Sequence, residues 1–169
     1  DMRQVSVAAS RDWDYATLMD YANGYLSNDR KHKIKLYGSY QIAPEWMVSA
    51  NLTVQSGRPK ECLGRYGANE GDPAGYGSYY HFYFGVPSRP GDAGRQPWQE
   101  LLDVSLEYRP LWADRKLAFS ASVFNLLNQQ RPDQSEPVSG SKNSINDAYQ
   151  RVISYTPPRY ARFGITYDF

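Results

Sequence analysis

Apolar and polar residues alternate along five stretches of the chain with the period of two that is typical of β-strands. These stretches run from Lys33 to Ala43, Trp46 to Gln55, Trp98 to Arg109, Leu117 to Val123 and Arg159 to Phe169. A weaker candidate lies between Arg3 and Trp13. The sequence therefore predicts an all-β fold of about six strands, without a confident helix.

The connections between these strands alternate in length. They are long over about 14–32, short at 44–45, long over 57–97, short over 110–114 and long over 129–158. If the strands are antiparallel neighbours, all long loops leave one side of the sheet and all short turns leave the other. This asymmetry is typical of outer-membrane barrels, in which extracellular loops are long and periplasmic turns are short. It places Phe169 at the periplasmic edge.

The strands also suit a lipid environment. Each has about ten residues, enough to cross a bilayer when tilted. Their apolar rows contain no charge in mid-strand, and a charge at the bilayer midplane costs about 2–4 kcal/mol. Aromatic residues gather at strand ends, where rings settle at lipid headgroups. We expect an aromatic girdle that includes Trp46, Trp98, Tyr108 and Trp112.

The opposite rows are polar and carry charges of both signs. These charged residues are Lys33, Lys35, Asp103, Glu107, Arg109, Arg162 and Asp168. A soluble β-sandwich module is the alternative interpretation, because its charged faces would meet water and its apolar faces would meet each other. The sandwich explains the alternation, but it does not predict loops on one side.

Composition narrows the class of protein. The 169 residues include 15 Tyr and 4 Trp, and the mean hydropathy is −0.69. No run approaches the roughly 18 apolar residues of a spanning helix. The sequence therefore excludes a helical membrane protein. The net charge of +1 gives no indication of nucleic acid as a partner. A single cysteine, Cys62, cannot form an internal disulfide, and no Cys/His spacing predicts a metal or another cofactor.

Six strands are too few for a closed barrel. Bacterial barrels begin at about eight strands, and unpaired sheet edges in lipid would leave backbone groups without partners. The chain also starts at Asp1, without an initiator Met or a signal segment. We therefore expect residues 1–169 to be the C-terminal piece of a larger barrel.

Several short motifs occur in a recognisable order. They are Gly24-Tyr25, Asn28-Asp29-Arg30 with His32, Gly38-Ser39-Tyr40, Gln55-Ser56-Gly57-Arg58-Pro59, Asp114-Arg115-Lys116-Leu117, Val123-Phe124-Asn125-Leu126-Leu127-Asn128 and Pro158-Arg159-Tyr160-Ala161-Arg162-Phe163 through Tyr167-Asp168-Phe169. In this order they resemble the C-terminal barrel portion of TonB-dependent receptors, most closely the Oar-like group. The resemblance covers most of the chain.

The resemblance implies a function and a set of partners. It implies a roughly 22-stranded outer-membrane barrel of a Gram-negative bacterium, closed by an N-terminal plug. TonB would act through that plug, which is absent here, to energise uptake of a scarce siderophore, carbohydrate or peptide. Further partners would be outer-membrane lipid, lipopolysaccharide and the barrel-assembly machinery. Phe163, Ile165, Tyr167 and Phe169 resemble the C-terminal signal that this machinery reads.

Other candidate chemistry is limited. The aromatic run Tyr79, Tyr80, His81, Phe82 and Tyr83 allows two interpretations: a loop that packs on itself or on the barrel rim, or a ligand-contact loop, because exposed rings often mark recognition surfaces. No ligand spacing supports a metal site at His81, and no nucleophile or phosphate-binding motif is present, so we expect no enzyme activity. A structural or adhesive outer-membrane barrel without active transport is the alternative function. The ligand itself is not identified by the sequence.

Overall fold

The computed structural model describes residues 20–65, 81–141 and 143–169. The weak strand candidate between Arg3 and Trp13, and the predicted contact residues Tyr79 and Tyr80, lie outside these ranges. The chain divides into two compact units. The sheet unit comprises Lys31–Ser56, Trp98–Arg131 and Thr156–Phe169, and the loop unit comprises Asp1–Arg30, Gly57–Pro97 and Pro132–Tyr155.

Twelve strands are present in the described residues. They are β1 Lys33–Ala43, β2 Trp46–Gln55, β3 Leu63–Gly64, β4 Phe82–Tyr83, β5 Val86–Pro87, β6 Gln99–Tyr108, β7 Leu117–Phe124, β8 Pro132–Ser135, β9 Val138–Ser141, β10 Ser144–Ile145, β11 Val152–Tyr155 and β12 Tyr160–Tyr167. A 3-10 turn at Leu111–Ala113 is the helical element in this part of the chain. Across the same ranges, no helix is long and apolar enough to cross a membrane. The all-β class predicted from the alternation is confirmed.

The sheet unit is a single antiparallel sheet with the strand order β1-β2-β6-β7-β12. It contains the five strongly alternating stretches of the sequence. Within the described residues the sheet is open, with β1 and β12 as its outer strands. Consecutive long strands are neighbours throughout, so adjacent strand ends are joined by one chain segment.

The register places residues of one kind on each face of this sheet. Tyr40 pairs with Val48, which pairs with Leu106, which pairs with Ala121, which pairs with Phe163. Because paired residues point to the same side and side chains alternate along each strand, the apolar rows of all five strands share one face. We call it the apolar face, and the opposite one the polar face.

The short connections meet at one end of the sheet. Pro44 and Glu45 join β1 to β2, and the 3-10 turn lies between β6 and β7. Glu45 Oε1 accepts a hydrogen bond from the main-chain nitrogen of Leu111 at 2.7 Å, and its main-chain oxygen accepts one from Arg109 at 2.8 Å. The turn closes on Asp114, which has a φ of 50°. One carboxylate therefore fastens both short connections together.

The alternation fails at Phe124-Asn125-Leu126-Leu127-Asn128 because β7 ends there. Asn125 has a φ of 48°, a left-handed conformation that asparagine tolerates better than most residues, and its side chain is buried. Its Nδ2 donates to the main-chain oxygens of Pro157 at 2.7 Å and Gln129 at 3.0 Å. Its Oδ1 accepts from Gln129 N at 3.1 Å. This side chain fixes the turn after β7 against the approach to β12.

The loop unit is built from the long connections, and it is more ordered than the sequence predicted. A three-stranded sheet has the order β10-β9-β3, with β3 and β9 parallel, and two two-stranded sheets pair β8 with β11 and β4 with β5. These strands are two to four residues long, too short to leave a periodic pattern. Segments distant in sequence thus form one small folded body.

Candidate membrane-facing surface and ligand-contact loops

The apolar face is exposed over all five long strands. Phe163 of β12 is 80% exposed, and Leu36, Tyr40 and Ile165 are also largely exposed. Glu100 lies on this face at the end of β6 that leads to the long connections, and elsewhere on the described face no Lys, Arg, Asp or Glu is present. A contiguous apolar surface of this size is not stable in water, so it has to be covered by lipid or by another apolar surface.

Aromatic residues lie at both ends of the long strands. At the short-turn end, Trp46 stacks on Tyr108 with ring centroids 4.5 Å apart, and Trp112 in the 3-10 turn is exposed. At the other end, Trp98 stacks on His32 at 5.9 Å. The four residues predicted as a girdle thus lie near strand ends, where amphipathic rings suit a lipid interface. The girdle role itself stays a prediction.

The terminal strand keeps its apolar row exposed up to the last residue. Phe163, Ile165, Tyr167 and Phe169 are exposed, and the rings of Tyr167 and Phe169 meet edge to face at 5.4 Å. Between them, the Asp168 carboxylate accepts from Arg109 Nη1 at 2.9 Å, and the Asp168 main-chain nitrogen donates to Lys116 at 2.8 Å. These two hydrogen bonds of Asp168 therefore hold the chain end against the sheet. The assembly-signal role stays a prediction.

The predicted ligand-contact loop is partly buried within the loop unit. His81 is 2% exposed and Phe82 is 1% exposed, whereas Tyr83 is 44% exposed. Tyr83 packs against Phe84 with ring centroids 4.3 Å apart and against Tyr149 at 5.7 Å. In this arrangement His81 and Phe82 form part of the interior, and Tyr83 is the described residue of the run that can meet a ligand. In the described ranges, no group of three His, Cys, Asp or Glu residues could hold a metal ion.

Cys62 lies in the interior of the loop unit. Its Sγ donates to the main-chain oxygen of Phe82 at 3.6 Å, and the side chain is buried. Burial raises the pKa of the Cys62 thiol, and hydrogen bonds with Tyr149, Ser139 and Ser88 lower it by less. Burial, followed by the hydrogen bond with Cys62, also raises the pKa of the Tyr149 hydroxyl. Both groups therefore stay protonated at neutral pH, and the thiol is a packing group.

This environment predicts low thiol reactivity. Alkylation of Cys62 by a maleimide at pH 8 is expected to be on the order of tenfold slower, or more, in the folded protein than in urea, because the thiolate is the reacting form. The exposed variant Ser144→Cys, made in a Cys62→Ser background, serves as the fast-reacting control within the same loop unit. Fast labelling of native Cys62 would contradict the burial.

The same shift gives a pH dependence of stability. The folded state holds the thiol proton more tightly than the unfolded state, whose cysteine pKa is about 8.5. The stabilising contribution is complete below that pH and is lost as the pH rises through the higher pKa of the folded state. The denaturant concentration at the unfolding midpoint is expected to decrease as the pH is raised from 8 to 10. The decrease is expected to be smaller in the Cys62→Ser variant.

Two ion-pair groups join the segments of the loop unit. Asp133 accepts from Arg30 Nη2 at 2.6 Å and lies 3.6 Å from Arg58 Nη2. Arg95 pairs with the Asp29 carboxylate and donates to the main-chain oxygen of Gly57 at 3.1 Å. Neither group could be predicted from the sequence, because each pairs residues far apart in the chain and no local motif marks them. Together they tie the three long connections to one another.

The fold and these surfaces define a class: an all-β protein whose largest sheet has one continuous apolar face and one polar face. A comparison with known proteins finds a distant relative. The chain is 26% identical over 201 residues to the "TonB-dependent transporter Oar" of Myxococcus xanthus, an alignment that covers 94% of this chain and 18% of that protein. The chain thus spans less than a fifth of its relative. No family model matches the chain, and no solved structure matches it.

Proposed function

We propose that this chain is a C-terminal barrel segment of a TonB-dependent receptor in the outer membrane, which takes up a scarce ligand with energy supplied through TonB. The single observation that carries the proposal is the exposed apolar face, which crosses five strands and has its charged residue, Glu100, at a strand end. We infer that lipid covers this face, because strands of this length can cross a bilayer when tilted. The distant similarity to a TonB-dependent transporter supports transport as the role.

A soluble sandwich agrees less well with the exposed side chains of the apolar face. In a sandwich the apolar face packs on a second sheet and becomes buried. Here residues at the centre and edge of that face, such as Leu106 and Ile165, are exposed. The open outer strands β1 and β12 also need partners, because lipid offers none to backbone groups. A complete barrel would place lipid on the apolar face and would pair β1 and β12 with further strands.

The loop unit is the proposed recognition element. In the proposed orientation the long connections are extracellular and the two short connections are periplasmic. Tyr83 offers an exposed aromatic ring, which packs against the half-buried Phe84 and Tyr149 on a body held by ion pairs. Such a preorganised surface loses little conformational entropy when a ligand binds.

The proposal is tested on the full-length protein in its own cell envelope. We expect it to fractionate with the outer membrane, to migrate as a heat-modifiable folded species, and to crosslink to TonB. Protease added to intact cells is expected to cleave only in the long connections. Cleavage confined to Pro44 or Pro110 would refute the orientation. A complete gene without a plug domain and TonB box would refute transport and favour the adhesive alternative.

Deletion of Phe169 is expected to lower the amount of folded protein in the outer membrane. Phe169 continues the apolar row of β12, so its loss removes the last element of the proposed assembly signal and leaves the loop unit unchanged. Immunoblots of membrane fractions would measure the effect, with Phe169→Tyr as a conservative control. Wild-type levels of the deletion variant in the outer membrane would remove this role.

A further inference from the structure

A row of serine residues crosses the polar face of the sheet. Ser39 pairs with Ser49, which pairs with Ser105, which pairs with Ser122, and the last position of the row is Arg162. We call the four hydroxyl residues the serine row. Ser105 and Ser122 share a hydrogen bond of 2.8 Å between their Oγ atoms. One row of the sheet, from the first long strand to the last, is thus lined by small hydroxyl groups and closed by a guanidinium.

The serine row is the floor of an open trough. Larger side chains of the next row, Tyr37, Asn51, Asp103 and Phe124, form its wall on one side. Tyr37 is 84% exposed, and the Arg162 guanidinium lies 5.2 Å from the centroid of the Phe124 ring. Asp103 Oδ1 accepts from the main-chain nitrogen of Asn125 at 2.9 Å, which fixes that carboxylate. The wall therefore combines two aromatic rings with planar hydrogen-bonding groups.

We propose that this trough binds a neutral carbohydrate chain. Each serine hydroxyl both donates and accepts, as each sugar hydroxyl does, and Asn51 and Arg162 add paired donors or acceptors for neighbouring hydroxyls. Tyr37, which is exposed, offers a ring face against which the C–H face of a sugar can pack, whereas the Phe124 ring is stacked on Tyr160 at 4.6 Å. Asp103 and Arg162 balance each other in charge. The trough therefore has no net attraction for an anionic chelate.

The serine row also suits a ligand that has to move along a pore. A single hydroxyl hydrogen bond contributes only about 0.5–1.5 kcal/mol net, so four hydroxyls in a row hold a chain weakly at several points. Passage through a pore requires binding that favours entry but is weak and repeated enough to permit exit. This role in uptake rests on the proposed function, in which the polar face lines the barrel interior.

The test is a binding titration with the full-length protein in detergent. The probes are maltohexaose, cellohexaose and the N-acetylglucosamine hexamer, measured by calorimetry. We expect at least one of them to bind, and the double variant Ser105→Ala/Ser122→Ala to bind it roughly tenfold more weakly because two hydroxyl contacts are lost. Ser120→Ala makes the same chemical change one row away on β7 and is expected to bind within about twofold of wild type.

A second variant covers the case in which the double variant does not fold. Tyr37→Ala removes an exposed ring, so the fold is retained, and binding is expected to weaken roughly fivefold. Failure of all three sugars to bind, or equal binding by wild type and the trough variants, would overturn the proposal. Protection of Ser39→Cys, in the Cys62→Ser background, from a small maleimide without added sugar would also overturn it, because another part of the polypeptide would then fill the trough.

Membrane fractionation of the same proteins separates the two proposals. A folded protein in the outer membrane that binds no sugar contradicts the trough alone. Sugar binding that depends on the serine row in a protein absent from the outer membrane contradicts the proposed function and supports the trough.

Discussion

The Ala50→Arg variant of the full-length protein is expected to be nearly absent from the outer membrane, whereas Asn51→Arg is expected to reach wild-type levels. The two residues are neighbours in the middle of β2 and point to opposite faces. Ala50 lies in the central row of the apolar face, between Gly38 and Val104, so under the proposed function an arginine there would meet the lipid midplane at a cost of about 2–4 kcal/mol. An arginine at Asn51 stays on the polar face.

This pair of variants is a direct measure of the lipid-facing assignment. The fraction of heat-modifiable protein in membrane fractions, and the free energy of folding into lipid vesicles, would both be measured. A variant pair with equal folding, or with Asn51→Arg as the more damaging change, would show that the two faces had been assigned the wrong way round.

The Asn125→Ala variant is expected to lower the free energy of unfolding by about 3 kcal/mol or more. The change removes three side-chain hydrogen bonds of a buried residue, each contributing about 0.5–1.5 kcal/mol net. It also places alanine at a positive φ, which costs roughly 1 kcal/mol. The measurement is denaturant unfolding of the refolded protein in lipid vesicles, followed by tryptophan fluorescence.

Asn128→Ala is the matched control for this change. Asn128 has a similar φ of 51° but is exposed, and its side chain accepts one hydrogen bond, from the main-chain nitrogen of Arg159. Its loss is expected to cost about 1–2 kcal/mol, the sum of one exposed hydrogen bond and the same cost of alanine at a positive φ. If the two variants unfold alike, the burial of Asn125 does not hold the turn, and the end of β7 is fixed by other contacts.

The long strands could be predicted from the sequence because each one separates two environments. A strand with lipid or a core on one side and water on the other has to alternate, so β1 and β12 carry their own signal. The strand between Arg3 and Trp13 stays a prediction. The Phe124-Asn125 segment shows the limit of the method: the break in the pattern was visible, but the reason for it, a buried asparagine at positive φ, depends on partners near Pro157.

The loop unit and the serine row could not be predicted in the same way. Aromatic composition alone does not say which rings pack inward, so it does not separate the buried His81 and Phe82 from the exposed Tyr83. Asp133 finds its arginines at Arg30 and Arg58 only after the fold has brought three segments together. The serine row needs the register of five strands, since each serine is unremarkable within its own strand.

The ion pairs between the long connections have a practical consequence for engineering. Tags, epitopes and exchanged loops are usually inserted into one surface connection at a time, on the assumption that loops are independent. Here the segments around Arg30, Arg58, Arg95 and Asp133 close on one another, so an insertion near any of these positions disturbs all three connections. Chimeras that exchange these connections between relatives therefore have to move all three as a set.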